Sequence, residues 1–241
     1  METVLFAPGA FDRIVVWGAP EAVASVQSRA LFTKVICFNP RYGLSLIGRE
    51  AFADEARLRQ VAFAAATDVM IYGQKACTAS QVQYLEGTPA QVQAYADCLA
   101  EALSRWDELA PPHVPPAVRG QLKRMQRGKF SHGQWHTNQR DGSYSSGVVV
   151  MPGEFDILEH PMSRLVLLRP VDDLREALGD LNAGVSTVGV YPEARRLALR
   201  DEAAARGVSN VLPLGQCERI FAGAAQDGML VLSELVDWKN A

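Results

Sequence analysis

The 241-residue chain has no CxxC pair and no GxGxxG fingerprint. It also lacks the roughly 20 consecutive apolar residues that a membrane helix needs. Each absence excludes something. Four scattered cysteines, Cys37, Cys77, Cys98 and Cys217, argue against a disulfide framework or a zinc cluster and point to a reducing cytoplasm. Without GxGxxG there is no self-contained dinucleotide fingerprint. The N-terminal METVLFAPGAFDR has no basic region followed by an apolar core, so it does not read as a signal peptide. Charge of one sign is also scarce. Twenty-four Lys and Arg against 27 Asp and Glu leave a net charge of −3, too weak a field to draw the chain to nucleic acid or an anionic membrane. The one basic run, Arg119 to Lys129 (RGQLKRMQRGK), is local and reads as a solvated helix face or loop in preference to a phosphate-binding patch. What the chain does have is 48% hydrophobic residues, enough to bury the core of one large domain or two modest ones.

The apolar pattern alternates between strand and helix. RIVVWG (13–18), a Pro-initiated helix over 20–29 and KVICF (34–38) suggest a βαβ unit with a parallel sheet. A further short strand is expected at 44–47. An alanine-rich, all-round apolar helix follows over about 51–70, then a half-buried strand at 81–85. The helix over 89–110 carries Val92, Tyr95, Leu99, Leu103 and Trp106 on one face, and Pro111-Pro112 stops it. Residues 111–147, proline-rich and then polar (SHGQWHTNQRDGSYSSG), are expected to be an irregular insert with a short helix near 117–126. Strands are expected at VVVM (148–151), 164–168, 185–191 and 209–214. Helices are expected at 171–178 and 192–206, and a last strand at 229–236.

Chemistry points first to the segment Ile71-Tyr72-Gly73-Gln74-Lys75-Ala76-Cys77-Thr78-Ala79-Ser80-Gln81, between the buried helix and the strand. A cysteine in a small-residue connection can face a pocket, and Lys75, two residues earlier, would favour the thiolate if it points the same way. The thiolate is the form that attacks a thioester carbonyl. By itself the pattern is weak and fits a packed small hydrophobe better. Cys37 ends an apolar strand and is expected to be buried. Cys98 and Cys217 are expected to be structural. His132 and His136 stand at i and i+4, but no third metal ligand accompanies them, and no metal site is expected. Trp106 and Trp135 are expected to pack.

Several blocks, in order over nearly the whole chain, add a family resemblance. They are Asp12-Arg13-Ile14-Val15-Val16-Trp17-Gly18 with Glu21-Ala22, Val35 to Arg41, and Asp68-Val69 with Gln74-Lys75-Ala76-Cys77 and Ser80-Gln81. Ser163-Arg164 with Arg169 to Asp173, Ser186-Thr187-Val188-Gly189, and Asp227-Gly228 with Leu235 to Trp238 complete the set. Together they resemble the LuxC-type acyl-CoA reductases of the aldehyde dehydrogenase superfamily. The resemblance implies an α/β fold: an aldehyde-dehydrogenase-like catalytic domain with a parallel-rich sheet and flanking helices. Residues 1–48 would be the remnant of the cofactor-binding domain, 49–226 the catalytic domain with its irregular insert near 111–147, and 227–241 a C-terminal strand or tail.

Function is implied in the same way. Cys77 would take the acyl group from an acyl-CoA or acyl-carrier-protein thioester, and NADPH would reduce the acyl-enzyme to an aldehyde. The Cys77 backbone N–H would donate to the oxyanion. Trp17 and Gly18 would lie at the cofactor and Glu21 would serve as an acid–base residue, although a tight turn and a helix-dipole charge explain Gly18 and Glu21 just as simply. Superfamily members form dimers and tetramers. The chain departs from the pattern at Ala19, Asn39, Arg41 and Lys75. Cys37 stands where hydrolytic relatives keep a general-base Glu, which suits a reductase that needs no deacylating water. The chain is about half a typical member's length, so most of the cofactor half is expected to be missing before Met1: the chain is either a fragment of a longer protein or one product of a split enzyme whose N-terminal half is a partner chain. The competing reading is a non-reducing partner or scaffold that keeps the fold and at most carries an acyl group.

Overall fold

The computed structural model describes every residue except Met1, Pro152, Glu154, Phe155, Ile220, Trp238, Asn240 and Ala241, and leaves out the side chains of Glu2 and Thr3. Backbone contacts divide the chain into two compact units, Met1–Arg41 with Ile220–Ala241, and Tyr42–Arg219.

The smaller unit opens with a single helical turn, α1 (Glu2–Leu5), and is built on the expected βαβ element: β1 (Arg13–Trp17), α2 (Pro20–Arg29) and β2 (Lys34–Phe38). The strands pair in parallel from Arg13↔Lys34 to Trp17↔Phe38. Ile36 and Phe38 turn to the buried side of β2, and the period-two alternation leaves Cys37 on the other side, half-buried rather than buried as expected. The expected closing strand at 229–236 is instead one turn of helix, α7 (Val231–Glu234). Asp227 and Gly228, both at positive φ (50° and 81°), fold the chain back so that Gln226 and Met229 exchange backbone hydrogen bonds. Among the described residues Leu230–Val236 pairs with no strand. Glu234 instead meets Lys34 at 2.7 Å, and Asp237 pairs with Arg13.

The larger unit is a seven-stranded sheet in the order β5-β6-β7-β4-β3-β8-β9, parallel except for β5. Its strands are β3 (Tyr42–Ile47), β4 (Ser80–Glu86), β5 (Gln134–Arg140), β6 (Ser143–Val150), β7 (Leu165–Val171), β8 (Val185–Tyr191) and β9 (Asn210–Pro213). One face is covered by α3 (Glu55–Met70) and α4 (Pro89–Leu109), whose Ala62, Ala65, Tyr95, Leu99 and Leu103 pack on Ile47, Leu85, Val148 and Val166. Asp54 sets the start of α3 by accepting the Arg57 N–H at 2.7 Å, so the helix begins later than its apolar composition predicts. Thr88 and Gln91 form a capping box at the start of α4. The opposite face has two covers. α6 (Glu193–Ala205) and a 3-10 segment, Leu174–Asp180, pack on Leu44, Leu46, Val82 and Val188. α5 (Pro116–Arg127) presses Leu122 and Met125 onto Val149, Leu165 and Leu167.

The stretch 111–147 is therefore not irregular. It holds α5 and the first arm of a hairpin, β5–β6. Apolar alternation misses β5 because QWHTNQR is the polar outer strand of the sheet. The usable signal was Asp141-Gly142, a two-residue loop with both φ positive (50° and 70°), as a type I′ hairpin turn requires. The helix expected at 171–178 is the 3-10 segment Leu174–Asp180, started by an Asp173–Glu176 capping box. Among the described residues no helix is long and apolar enough to cross a membrane.

Candidate active site

Cys77 sits in a turn between the end of α3 and β4, at the edge of the sheet where the parallel strands begin. The approach is strained. Tyr72, Gly73 and Gln74 have φ of 47°, 63° and 71°, three successive left-handed residues of which one is glycine. Each non-glycine residue there costs of order 1 kcal/mol or more, so packing must hold them. Gln74 provides that hold. Its side chain is fully buried, and Nε2 donates to the carbonyls of Ser80 at 2.9 Å and Leu165 at 2.6 Å, tying the turn to the first residues of β4 and β7. Gln74 Oε1 is buried without a partner.

Gly43 is the second constraint. A Cβ at this position would lie 2.5 Å from the Thr78 carbonyl oxygen and 2.7 Å from that of Ala79. Only glycine lets the backbone after Cys77 lie against β3, where Gly43 N–H donates to Ala79 O at 3.1 Å. The turn closes with Ala79 N–H donating to Ala76 O at 3.0 Å. Among the described residues, the backbone N–H groups of Cys77 and Thr78 have no acceptor within the protein. The Cys77 side chain is half-buried, and Lys75 and Tyr72 are exposed.

Beneath the turn, Ile71 and Ala79 bury Cys217, with Ala76 at the margin. Asp68, on the last turns of α3, accepts the N–H groups of Gly215 at 2.7 Å and Cys217 at 3.0 Å. Burial raises the Asp68 carboxyl above its ordinary range, against the pull of these donors. Burial, reinforced by Asp68, pushes the Cys217 thiol well above its usual value, so it stays protonated. Cys98, on α4, is also raised, first by burial. Both thiols therefore suit the structural roles expected of them.

The same sheet edge holds His160. It is 8% exposed; Nδ1 accepts the Met162 N–H at 3.0 Å, and Nε2 is buried without a partner. Burial lowers its pKa to about 4, an effect that the neighbouring backbone of Gln81 and Leu165 offsets only in part. Met162, Ser163 and Arg164 then run through φ of 55°, 55° and 61° into β7. The buried Arg164 guanidinium meets Asp107 at 2.5 Å, and Ser146 Oγ donates to the same carboxylate at 2.6 Å.

Residues 7–238 match the family described as acyl-CoA reductase (LuxC). The chain belongs to the LuxC acyl-CoA reductase family. Among its LuxC relatives is the long-chain acyl-protein thioester reductase of Aliivibrio fischeri, 25% identical over 93% of this chain and 46% of the relative. The long-chain acyl-protein thioester reductase 2 of Photobacterium leiognathi is 22% identical over 94% of this chain and 46% of its own length. The chain thus spans about half the length of the curated relatives it matches. Solved structures share the fold: aldehyde dehydrogenase 21 of Physcomitrella patens (TM-score 0.65, 14% identity) and the aldehyde dehydrogenase KauB of Pseudomonas aeruginosa (TM-score 0.67, 13% identity), each covered to 50% by 94% of this chain. The aldehyde-dehydrogenase-like fold implied by the LuxC blocks is the fold observed.

The residues singled out from the LuxC pattern fall in both units. Cys77 is in the larger one; Trp17, Gly18 and Glu21 are in the smaller one. Trp17 is 60% exposed and stacks on Phe38 with ring centroids 4.7 Å apart. A Cβ on Gly18 would meet the Ala22 Cβ at 3.2 Å, so the glycine serves the close strand-to-helix turn. Glu21 is exposed in the first turn of α2. His132 and His136 lie on a turn and a strand, and His136 Nδ1 faces Asp97 at 2.9 Å. Among the described residues no three metal-ligating side chains cluster. Trp106 and Trp135 both pack against core clusters. Gly43, His160 and Asp107 have no counterpart among the residues expected from sequence, and Arg164 stands among them only within the Ser163-Arg164 block, without a role. Nothing local marks Gly43, since its partners lie 35 residues further along the chain.

Proposed function

We propose that this chain performs the acyl-transfer step of a thioester reductase, with Cys77 as nucleophile. The observation that carries the reading is the Cys77 turn itself: a half-buried sulfur beside two backbone N–H groups that no described residue engages. The sulfur of the thiolate bonds to the thioester carbonyl carbon, and the carbonyl electrons move onto oxygen. The Cys77 N–H is the donor offered to that oxyanion; one such donor contributes about 2.7–4 kcal/mol to acyl-transfer barriers. Collapse breaks the donor's own C–S bond and releases its thiol, which takes the proton given up by Cys77. The substrate class is an acyl-CoA or an acyl-carrier-protein thioester.

Reduction requires a hydride donor, and NADPH is the proposed one. The smaller unit fits part of such a site. Trp17 and Gly18 stand at the C-terminal end of a parallel strand, followed by α2, whose N-cap residue Ala19 makes no side-chain hydrogen bond to the helix start. Trp17 and Gly18 would hold the nucleotide there, and a bound NADPH supplies the hydride that turns the acyl group into an aldehyde. Glu21, also at the start of α2, is assigned an acid–base role through the family match; the same placement serves the helix dipole. Two paired strands form a marginal sheet, and Trp17, Leu31 and Phe32 are exposed. This supports completion of the cofactor domain by further strands, from upstream sequence or from a partner chain. Homo-oligomers of the superfamily kind follow the same resemblance.

The test is intact mass spectrometry of the chain after mixing with a panel of acyl thioesters. A mass gain equal to the acyl group, absent in Cys77→Ala, is expected; no gain with any donor overturns the assignment. The 46% coverage of the A. fischeri reductase favours a second reading, a non-reducing partner that holds the acyl group on Cys77. Adding NADPH to the acylated chain separates the two, since aldehyde release belongs to the first alone.

A further inference from the structure

On the side of the β5–β6 hairpin away from α4, a groove of about 570 Å³ runs between the hairpin and α5. Arg119, Gly120 and Lys123 line it from the helix, and Trp135, Thr137 and Gln139 from β5. Alternation along β5 puts these three on one face. His136 and Asn138 point to the other, against Gln93 and Ala100 of α4.

The helical wall carries features that folding does not explain. Arg119 and Lys123 are like charges at i and i+4, a spacing that destabilises a helix by a few tenths of a kcal/mol. Both are exposed, and among the described residues neither meets a carboxylate. Gly120 lies inside the helix, where glycine costs about 0.5–1 kcal/mol relative to alanine. Its φ is not positive, and an added Cβ would touch only Arg124 Nη1, at 3.5 Å. Neither backbone conformation nor packing requires the glycine, and the space it leaves widens the groove. Across from it, the Trp135 ring is held by a hydrogen bond from Nε1 to Phe130 O at 3.0 Å. Thr137 and Gln139 add a hydroxyl and an amide that make no side-chain hydrogen bond among the described residues.

The groove also points the right way. Gly147 of β6 is level with Leu165 of β7, and Gln74 bridges Leu165 to Ser80 of β4. The hairpin tip therefore projects beyond the sheet edge that presents Cys77. β5 is three strands from β4, about 15 Å at ordinary strand spacing.

We propose that this groove binds a phosphorylated adenine nucleotide, with phosphates on Arg119 and Lys123 and the base against Trp135. It would seat the head of a coenzyme-type thioester whose acyl end reaches Cys77. That last step rests on the proposed function; the binding step does not. Cationic side chains beside an aromatic face are what such a ligand requires.

Two assays test it on the full chain. In calorimetry, adenosine 3′,5′-bisphosphate is expected to bind, with Kd raised at least tenfold in Arg119→Glu/Lys123→Glu and in Gly120→Leu. The leucine variant should melt no lower than the parent; if it does not fold, the charge-reversal pair decides. Absence of binding, unchanged binding in the variants, or equally tight binding of inorganic phosphate would each overturn the proposal. In the second assay, acyl-CoA labelling of Cys77 should fall at least tenfold in both variants, while labelling by an acyl thioester without a nucleotide stays the same. Equal loss with both donors overturns the groove's role. Labelling by neither donor in the parent defeats the proposed function instead, and calorimetry then decides whether the groove binds the nucleotide.

Discussion

At the C-terminal ends of β4 and β7, Glu86 is 1% exposed and its carboxylate is fully engaged. Oε1 accepts the Leu174 N–H at 2.9 Å; Oε2 accepts Arg49 Nε and Arg195 Nη2, both at 3.1 Å, and the Arg49 N–H at 3.3 Å. Burial opposes ionisation there, but the Leu174 and Arg49 donors and the Arg195 charge outweigh it and hold the carboxyl below its ordinary value. At the N-terminal ends of the same two strands the reverse holds. Gln74 Oε1 and His160 Nε2 are buried without partners, and two runs of left-handed residues enter the strands. Open α/β sheets as a class bind ligands at the carboxyl ends of their strands. Here a cavity of about 670 Å³ lies at that end beside the ion network, lined by Gly87, Val150, Val171 and Asp172, while the unmet polar groups and the strain collect at the other, on the Cys77 side. The contrast separates the edge where a buried ion cluster adds stability from the edge where the acyl-transfer chemistry is proposed.

Variants at the two edges should therefore differ in kind. Glu86→Ala removes the hub and leaves the buried Leu174 N–H unpaired. It should cost about 3 kcal/mol in urea unfolding, since loss of one member of a buried charged cluster runs to that order. The alkylation rate of Cys77 should stay within twofold of the parent; a larger change would mean the edges are not separable. Gly43→Ala is next. Its Cβ cannot coexist with the Thr78 carbonyl at 2.5 Å, so the turn must move. A cost of about 2 kcal/mol fits overpacking against backbone, and here Cys77 acylation should fall more than tenfold.

The sequence carries these two edges unequally. The Cys77 turn is legible because its small residues interrupt a helix-to-strand transition and its motif is local. The core strand Val185–Tyr191 is legible because a continuous apolar run fits a strand covered on both faces. β5 is not, because an outer strand can be polar throughout and is specified by its turn, not by its pattern. The Glu86 cluster is not legible either. Arg49, Glu86, Leu174 and Arg195 span some 150 positions, and each reads alone as a surface charge or a core leucine.

Acid should weaken the Cys77 edge selectively. His160 has its pKa lowered to about 4 in the folded protein, against 6.5 for the free side chain. Between those values the unfolded chain binds the proton and the folded one does not, so stability rises with pH across that window and is lost on acidification. From pH 7 to pH 5 the loss assigned to this one group is about 2 kcal/mol, at 1.36 kcal/mol per pH unit. The check is urea unfolding of parent and His160→Phe at both pH values. The parent should lose about 2 kcal/mol more than the variant, and parallel losses would remove His160 from the account.

Gln74→Leu is the smallest of these effects on stability and the most direct probe of the turn. The substitution abolishes the two hydrogen bonds to the Ser80 and Leu165 carbonyls, at about 1 kcal/mol each. It also removes Oε1, a buried oxygen that already lacks a partner, and that relief offsets part of the loss. The net cost should be only about 1–2 kcal/mol, well within what a folded domain tolerates. The turn nevertheless loses its tie to β4 and β7, so Cys77 acylation should fall about tenfold while alkylation by a small reagent, which needs no oriented carbonyl, changes little. Equal loss in both reactions would mean that Gln74 only keeps the sulfur accessible. Loss in acylation alone would mean that it holds the Cys77 N–H and sulfur in one geometry toward a substrate.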